Sequence, residues 1–263
     1  MDILVCVKRV ADPAENEIQI NAGGADIERD DLVYSVNEAD NYAVEEALRI
    51  VAAFGGNVTV VTVGEDDDEE VLRRQIAMGA DHAVLISDDA FRGSDGRGIA
   101  ALLQAYVERG RYDLILTGVQ AEDGCAQVGG MLAAMLDWPF ASLVSSIEVT
   151  GKDTLKITRE IEGGCKEIYA IDAPCVLSIQ TGINEPRYVG MRGIRQAASI
   201  PIPRLGATEL AAALGWAGKG NAKVQRTDYF VPPAAAGARI LAGERAEVVE
   251  QLMDLLKAKG GLN

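Results

Sequence analysis

The chain has 263 residues, of which 48% are hydrophobic, 25% charged and 5% aromatic. This is an ordinary globular composition, long enough to bury a core in one large domain with an appendage or in two small ones. A formal net charge of -15 argues against phosphate-backbone binding, since nucleic-acid binders gain affinity from clustered Lys and Arg, yet it leaves room for a small anionic cofactor held by a few local donors. No apolar run reaches the roughly 20 residues that a membrane span needs, and Met1-Asp2-Ile3 leads into a strand without a signal peptide, so a cytoplasmic protein, or one of an equivalent reducing compartment, is expected.

Ile3 to Val7 is apolar throughout and reads as a central strand. Lys8 and Arg9 follow at its carboxyl end, where a cationic pair would face a ligand crevice, although such pairs are commonly just solvated. The polar segment Ala11 to Asp31, with a turn at Asp12-Pro13 and a candidate short strand at Glu17 to Ile20, is too long for a simple connector. Ser35 and Asn37 are candidate N-caps of a helix over Asp40 to Ala53, whose apolar face is Ala43, Val44, Ala47, Leu48 and Val51 and whose end is Gly55-Gly56. Val58 to Val63 is the next strand. Acidic Glu65 to Glu70 leads a helix with Val71, Leu72 and Ile76 inward and Gly79 beyond its end. Ala83 to Ile86 is a strand, and Ile99, Leu102, Leu103, Tyr106 and Val107 form a helix face stopped by Gly110.

The stretch Asp113 to Leu136 organises the rest. Leu114 to Leu116 reads as a buried parallel strand, and Val128, Met131, Leu132, Met135 and Leu136 have helical spacing. Between them lies a polar loop with Gln120, Glu122, Asp123, Gly124 and Gln127, entering a helix whose first turn carries Gly129 and Gly130. Ligands of open α/β sheets sit off the carboxyl ends of strands, and helix N-termini attract phosphate. An ordinary strand-to-helix connection with incidental glycines has the same local pattern.

Alternating strands and helices up to this point predict an α/β fold with a doubly wound, mostly parallel sheet. It carries neither a G-x-G-x-x-G fingerprint after the first strand nor a Walker A sequence. After Trp138-Pro139 the strand-like segments Ala141 to Val149, Leu155 to Ile161, Lys166 to Ile171 and Cys175 to Ile179 follow one another across short turns, which predicts hairpin strands extending the sheet or an antiparallel edge. Residues 1–206 thus form the α/β domain. Residues 207–263 form a linker and arm, with a small helix at Thr208 to Leu214 and a last helix, Glu244 to Lys259, whose face of Val248, Val249, Leu252, Leu255 and Leu256 needs another chain or the domain to cover it. The four cysteines, Cys6, Cys125, Cys165 and Cys175, lack metal spacing and read as buried or semi-buried free thiols. His82, the single histidine, sits at a strand edge without the companions of a triad.

KRVADP after the first strand, AVEEAL on the first helix, AMGAD, LTGVQAEDGCAQVGGMLA, the REIEGG segment with Arg159-Glu160 and Gly163-Gly164, INEPRY at residues 183–188, and the spacing of Ile194 to Ala197 occur together. With these motifs the chain resembles the β subunit of an electron transfer flavoprotein, nearly end to end. The resemblance implies a Rossmann-like, adenine-nucleotide-binding fold and a heterodimer whose α subunit holds most of a redox-active FAD that this chain helps to enclose. It implies a carrier subunit rather than an enzyme on its own, taking electrons from a flavin dehydrogenase of the acyl-CoA dehydrogenase type to a quinone reductase or another acceptor, and binding AMP as a structural nucleotide. In a bifurcating branch a second FAD takes that place and oxidises NADH. The implied nucleotide residues, together with Lys8 from its strand-end position, are Cys6, Lys8, Asn37, Glu38, Ala39, Asp40, Val63, Leu116, Thr117, Gly118, Gln120, Asp123, Gly124, Cys125, Ala126, Gln127 and Val128. Tyr188, Val189, Gly190, Met191, Arg192, Ile194 and Arg195 correspond to the segment that docks the dehydrogenase, with Met191 as its apolar anchor; the alternative is that Met191 packs in the domain. Asn37-Glu38-Ala39-Asp40 replaces a family pattern with an aromatic, and Asp123-Gly124-Cys125 is one residue shorter than the loop of bifurcating members and lacks its threonine. The shorter donor set favours AMP. A stand-alone nucleotide-binding regulatory protein is the rival from another class.

Overall fold

Alternation of side chains along buried strands decides the architecture. The computed structural model describes residues 1–121, 124–233 and 237–261. In chain order its elements are β1 (Asp2–Cys6), β2 (Arg9–Ala11), β3 (Tyr34–Val36), α1 (Glu38–Phe54), β4 (Asn57–Val63), α2 (Glu69–Met78), β5 (His82–Ile86), α3 (Gly96–Val107), β6 (Leu114–Val119), α4 (Val128–Leu136), β7 (Phe140–Val149), β8 (Thr154–Ile161), β9 (Cys165–Asp172), β10 (Cys175–Gln180), α5 (Met191–Ala197), β11 (Arg204–Leu205) and α6 (Arg245–Ala258). Ile3 and Val5 enter one apolar cluster and Leu4 the other; Leu114 and Leu116 part from Ile115 in the same way, and Leu177 from Val176. A sheet buried on both faces results. Val44, Leu48 and Leu72 of α1 and α2 cover one face, and Leu102, Leu103 and Leu132 of α3 and α4 cover the other. Each such side chain contributes about 1.5–3 kcal/mol on burial.

The nine-stranded sheet has the order β11-β5-β4-β1-β6-β10-β7-β8-β9. From β11 to β7 every pairing is parallel, and β7, β8 and β9 pair antiparallel. The chain winds outward from β1 through β4 to β5, then returns to the other side of β1 with β6. Strand order therefore reverses between β1 and β6, which is where doubly wound sheets open a ligand crevice.

Local chemistry sets the helix boundaries. Glu38 and Asp40 lie in the first turn of α1, where carboxylates complement the helix dipole. A reciprocal capping box of Glu65 and Asp68 holds the turn that leads into α2, and Gly79 at φ 129 ends that helix in a backbone region that penalises other residues. The Asp95 carboxylate accepts the Gly98 N–H at 2.9 Å at the start of α3.

The α/β expectation, with antiparallel strands after residue 140, is met, and four details differ. Cys175 to Gln180 does not continue the antiparallel edge: it inserts as β10 between β6 and β7, parallel to both, because its Cys175, Val176, Leu177 and Ile179 are fully buried and a central position alone covers both faces. Glu17 to Ile20 makes one bridge, Ile20 to Ile27, instead of a strand. The helix expected at Thr208 to Leu214 is a single 3-10 turn, Ala211–Ala213, with Leu210, Ala213 and Ala217 buried in the cluster over α3. Of the cysteines, Cys6 and Cys175 are half-buried and buried, but Cys125 and Cys165 are exposed, since Cys125 lies in the loop before α4 and Cys165 opens the edge strand β9. None of the described residues of α6 is buried, and Val249, Leu252 and Leu256 stand open along it. No described helix is long and apolar enough to cross a membrane.

Candidate functional site

At the switch point one carboxylate joins three elements. Asp40, in the first turn of α1, accepts the Lys8 N–H on Oδ2 at 2.9 Å and the Gly118 N–H on Oδ1 at 3.0 Å. Lys8 follows β1 and Gly118 lies on β6, so two neighbouring strand ends are fixed against one helix. The Lys8 carbonyl accepts the Asn37 N–H at 2.9 Å, closing a ring between β1 and α1. Asn37 takes the cap position of α1, but its side chain turns to the Asp40 carboxylate instead of capping the helix. Burial pushes the Asp40 carboxyl up to about 7, against the opposing pull of Asn37, of the Lys8 and Gly118 N–H groups and of the Lys8 ammonium. Burial, and then the Asp40 charge, push the Cys6 thiol up, which keeps it protonated and unreactive.

Glycines bring the helices this close. A Cβ on Gly118 would overlap Asp40 Oδ1 and Ala39. A Cβ on Gly129 would stand 2.5 Å from Ser178 Oγ and 2.8 Å from Thr117 Oγ1, so α4 can lie against β6 and β10 at its first turn only without one. The two hydroxyls are 2.7 Å apart and bond to each other, which ties the ends of β6 and β10. Ala126, just before α4, holds φ 53, a left-handed conformation that costs an alanine about 1–2 kcal/mol and is characteristic of ligand loops.

The crevice gathers most of the expected nucleotide residues. Cys6 and Val63 end β1 and β4, Asn37, Ala39, Asp40, Leu116 and Thr117 are buried, and Lys8, Glu38, Gln120, Cys125, Ala126 and Gln127 are exposed around the opening. Gly118, Gly124 and Val128 are half-buried, with the Gly124 N–H bonded to the Ala121 carbonyl at 2.9 Å. Asp123, with Glu122, lies outside the described residues. Arg9 is the exception to the cationic pair: it turns away from Lys8, stacks 3.7 Å over the Tyr34 ring and approaches Asp68 at 3.8 Å, because the β2–β3 hairpin offers an aromatic face. An open depression lined by Tyr112, Trp138 and Pro174 lies at the opposite, amino edge of the sheet, where the fold rule places no ligand. Among the described residues no group of three or more His, Cys, Asp or Glu is placed to hold a metal. Chemically, the crevice offers the N–H groups of the first turn of α4 to one anionic group and the exposed carboxylate of Glu38 to hydroxyl donors.

The segment expected to dock a dehydrogenase lies apart, over α2. Its anchor was not legible in the sequence: the Arg187 guanidinium donates to both oxygens of Glu45 on α1, at 2.7 and 3.1 Å, and the Asn184 amide donates to Glu46 at 3.0 Å and to the Tyr42 carbonyl at 2.9 Å. Burial raises the Glu45 carboxyl, but Arg187 and Arg49 outweigh it and hold the group below its usual range. Two adjacent acids, Glu45 and Glu46, between the core residues Val44 and Ala47 of α1 were the available signal. Asn184 and Arg187 thus face inward, while Tyr188 is 95% exposed and Met191 and Ile194 stand 68% and 48% exposed on α5. Arg73 of α2 donates to the Ala197, Ala198 and Ile200 carbonyls at the end of α5, at 2.8, 3.3 and 3.2 Å. Met191 does not pack in the domain.

The family profile described as Electron transfer flavoprotein domain matches residues 25–210. Over 260 residues, covering 97% of this chain and 98% of the relative, the sequence is 34% identical to the Electron transfer flavoprotein subunit beta of Methylophilus methylotrophus. The chain belongs to the electron transfer flavoprotein β subunits. The Bacillus subtilis Electron transfer flavoprotein subunit beta is also 34% identical, over 98% of each chain. Another such relative, the Caffeyl-CoA reductase-Etf complex subunit CarD of Acetobacterium woodii, is 35% identical over 98% of this chain and 99% of its own. Membership supports a role in flavoprotein electron transfer, and the near-equal identities do not rank one of these relatives above another.

Proposed function

We propose that this chain is the β subunit of a heterodimeric electron transfer flavoprotein, that it binds AMP as a structural nucleotide between the carboxyl ends of β1 and β6, and that it completes the FAD site of an α subunit. FAD, when bound, supplies the redox chemistry, accepting electrons from a flavin dehydrogenase of the acyl-CoA dehydrogenase type for a quinone reductase or another acceptor. This chain's residues bind and orient. The first turn of α4 and the loop from Gln120 to Gln127 receive the AMP phosphate, Asp123 belonging to that set by resemblance, while Lys8 and Glu38 border the ribose and base. Tyr188, Met191 and Ile194 meet the dehydrogenase, flanked by Arg192 and Arg195. The arm beyond residue 206, and above all the open face of α6, packs on the α subunit. Free thiols suit the cytoplasm.

The observation that carries this reading is the switch-point crevice, where Asp40 aligns two strand ends opposite a single glycine-opened helix N-terminus. One helix N-terminus and a short loop suit one phosphate better than a pyrophosphate. A second reading, a second FAD oxidising NADH in the same crevice, draws on the 35% identity to a subunit named for a reductase-Etf complex. Coexpression with an α subunit tests the heterodimer. A one-to-one complex retaining flavin is expected, and a stable monomer with no copurifying flavoprotein chain contradicts it.

A further inference from the structure

We propose that Asp40 is a positioning residue of the crevice, stapling the carboxyl ends of β1 and β6 to the first turn of α1 and so setting the path of the loop that receives the nucleotide, without touching the nucleotide itself. The inference rests on the nucleotide reading above and deepens it. Resemblance groups Asp40 with the nucleotide contacts, but its geometry points inward. The residue is 4% exposed. Each oxygen already accepts a main-chain N–H, from Lys8 at 2.9 Å and from Gly118 at 3.0 Å, and Asn37 donates to the same carboxylate. A group so occupied has little left to offer a ligand, whereas the two N–H groups that it holds belong to the residues that start both crevice loops. Two residues after Gly118 the chain reaches Gln120 and enters the loop, so a displacement of the β6 end is passed on to the loop that follows it.

An asparagine cannot replace this carboxylate. Its single oxygen accepts one N–H and its amide opposes the other, leaving a buried donor unpaired. An alanine at position 118 breaks the same contact from the opposite side without changing charge, because its Cβ would occupy the place of Asp40 Oδ1. Protonation relieves the cost of burying the charge and so favours the fold, but it weakens the staple itself, since one oxygen then becomes a donor and opposes the N–H that it held. Among the described residues, the ionisable groups facing Asp40 are the Lys8 ammonium and the Cys6 thiol, both from β1 and its end; β6 presents the Gly118 N–H.

The test uses the heterodimer stripped of its β-subunit nucleotide, titrated calorimetrically with AMP and separately with FAD, from pH 8 to pH 6. Wild type, Asp40→Asn, Gly118→Ala, the double variant and Glu38→Gln are compared. Expected are a loss of affinity of about tenfold or more in each of Asp40→Asn and Gly118→Ala, and a double variant no weaker than the worse single one, as for two halves of one device. Wild-type affinity should fall toward pH 6 more steeply than that of Asp40→Asn, whose remaining slope reports the titration of the phosphate. Additive losses, or Asp40→Asn binding as wild type at every pH, overturn the proposal even where Glu38→Gln weakens binding and so supports the crevice. A wild type that takes up neither AMP nor FAD overturns the nucleotide reading, and this inference with it.

Discussion

At the carboxyl edge of the sheet polar atoms are buried and paired, whereas over α2 apolar side chains are exposed and alone. Asp40, Thr117 and Ser178 are all at most 7% exposed and hydrogen-bonded, while Tyr188 and Met191 are 95% and 68% exposed. Both regions are nevertheless built on polar supports tied to α1, since Arg187 and Asn184 clamp the second region to Glu45 and Glu46 of that helix. What differs is the surface carried on the support. A small ligand needs donors fixed to a fraction of an ångström, so the crevice spends its glycines on close approach; a protein partner needs apolar area that is free until docking, so α5 leaves its side chains open.

Perturbing the supports should cost much and perturbing the open surface little. The largest effect is expected at Asp40. Its folded carboxyl, near 7, is raised above the unfolded value, so the native state holds a proton that the unfolded chain has released, and this group makes stability fall as pH rises from about 4 to about 7 and level off above. Relative to Asp40→Asn, wild type should lose on the order of 4 kcal/mol across that window, read from urea midpoints. Next comes Gly129→Val, whose added methyls would press α4 off Ser178 and Thr117; about 3 kcal/mol is expected from overpacking, with loss of the nucleotide, measured by denaturation and by ligand content.

Arg187→Ala should cost about 2 kcal/mol, because the nearly buried Glu45 carboxylate would keep only Arg49 and the main-chain N–H of residue 187, at 3.2 Å. Here the sign is the reverse of Asp40. A lowered folded value gives stability that is present above the unfolded Glu value and lost as pH falls through the folded one, so wild type should weaken more than the variant on acidification toward pH 3. The smallest effect on stability, within about 0.5 kcal/mol, is expected for Met191→Ala; its consequence should be slower reduction of the heterodimer flavin by its dehydrogenase, followed by stopped-flow absorbance. A large loss of stability there would place Met191 in the core and erase the contrast.

Much of the fold was legible because burial on both faces writes itself into sequence. Ile3 to Val7 and Leu114 to Leu116 are continuous apolar runs, Val58 to Val63 is interrupted by Thr59 and Thr62 alone, and a parallel sheet is the arrangement that hides them. The place of β10 was not legible, since Cys175 to Gln180 resembles its antiparallel neighbours locally and only long-range pairing puts it beside β6. The crevice was visible as a position, through the strand, loop and glycines of residues 113–136. Its internal wiring was not. Asp40 meets Gly118 across a separation of 78 residues, and Arg187 meets Glu45 across 142, contacts that no local pattern encodes. INEPRY was legible as one run that carries the resemblance, yet its Asn184 and Arg187 form a clamp on α1 and only its last residue, Tyr188, begins the open surface.

The measurement that bears most directly on the account is the identity of the nucleotide in the crevice. Purified heterodimer would be denatured, and the released ligands separated by chromatography and quantified by absorbance. One AMP and one FAD per heterodimer are predicted. Two flavins per heterodimer, with bleaching of the flavin by NADH before denaturation, would contradict the account.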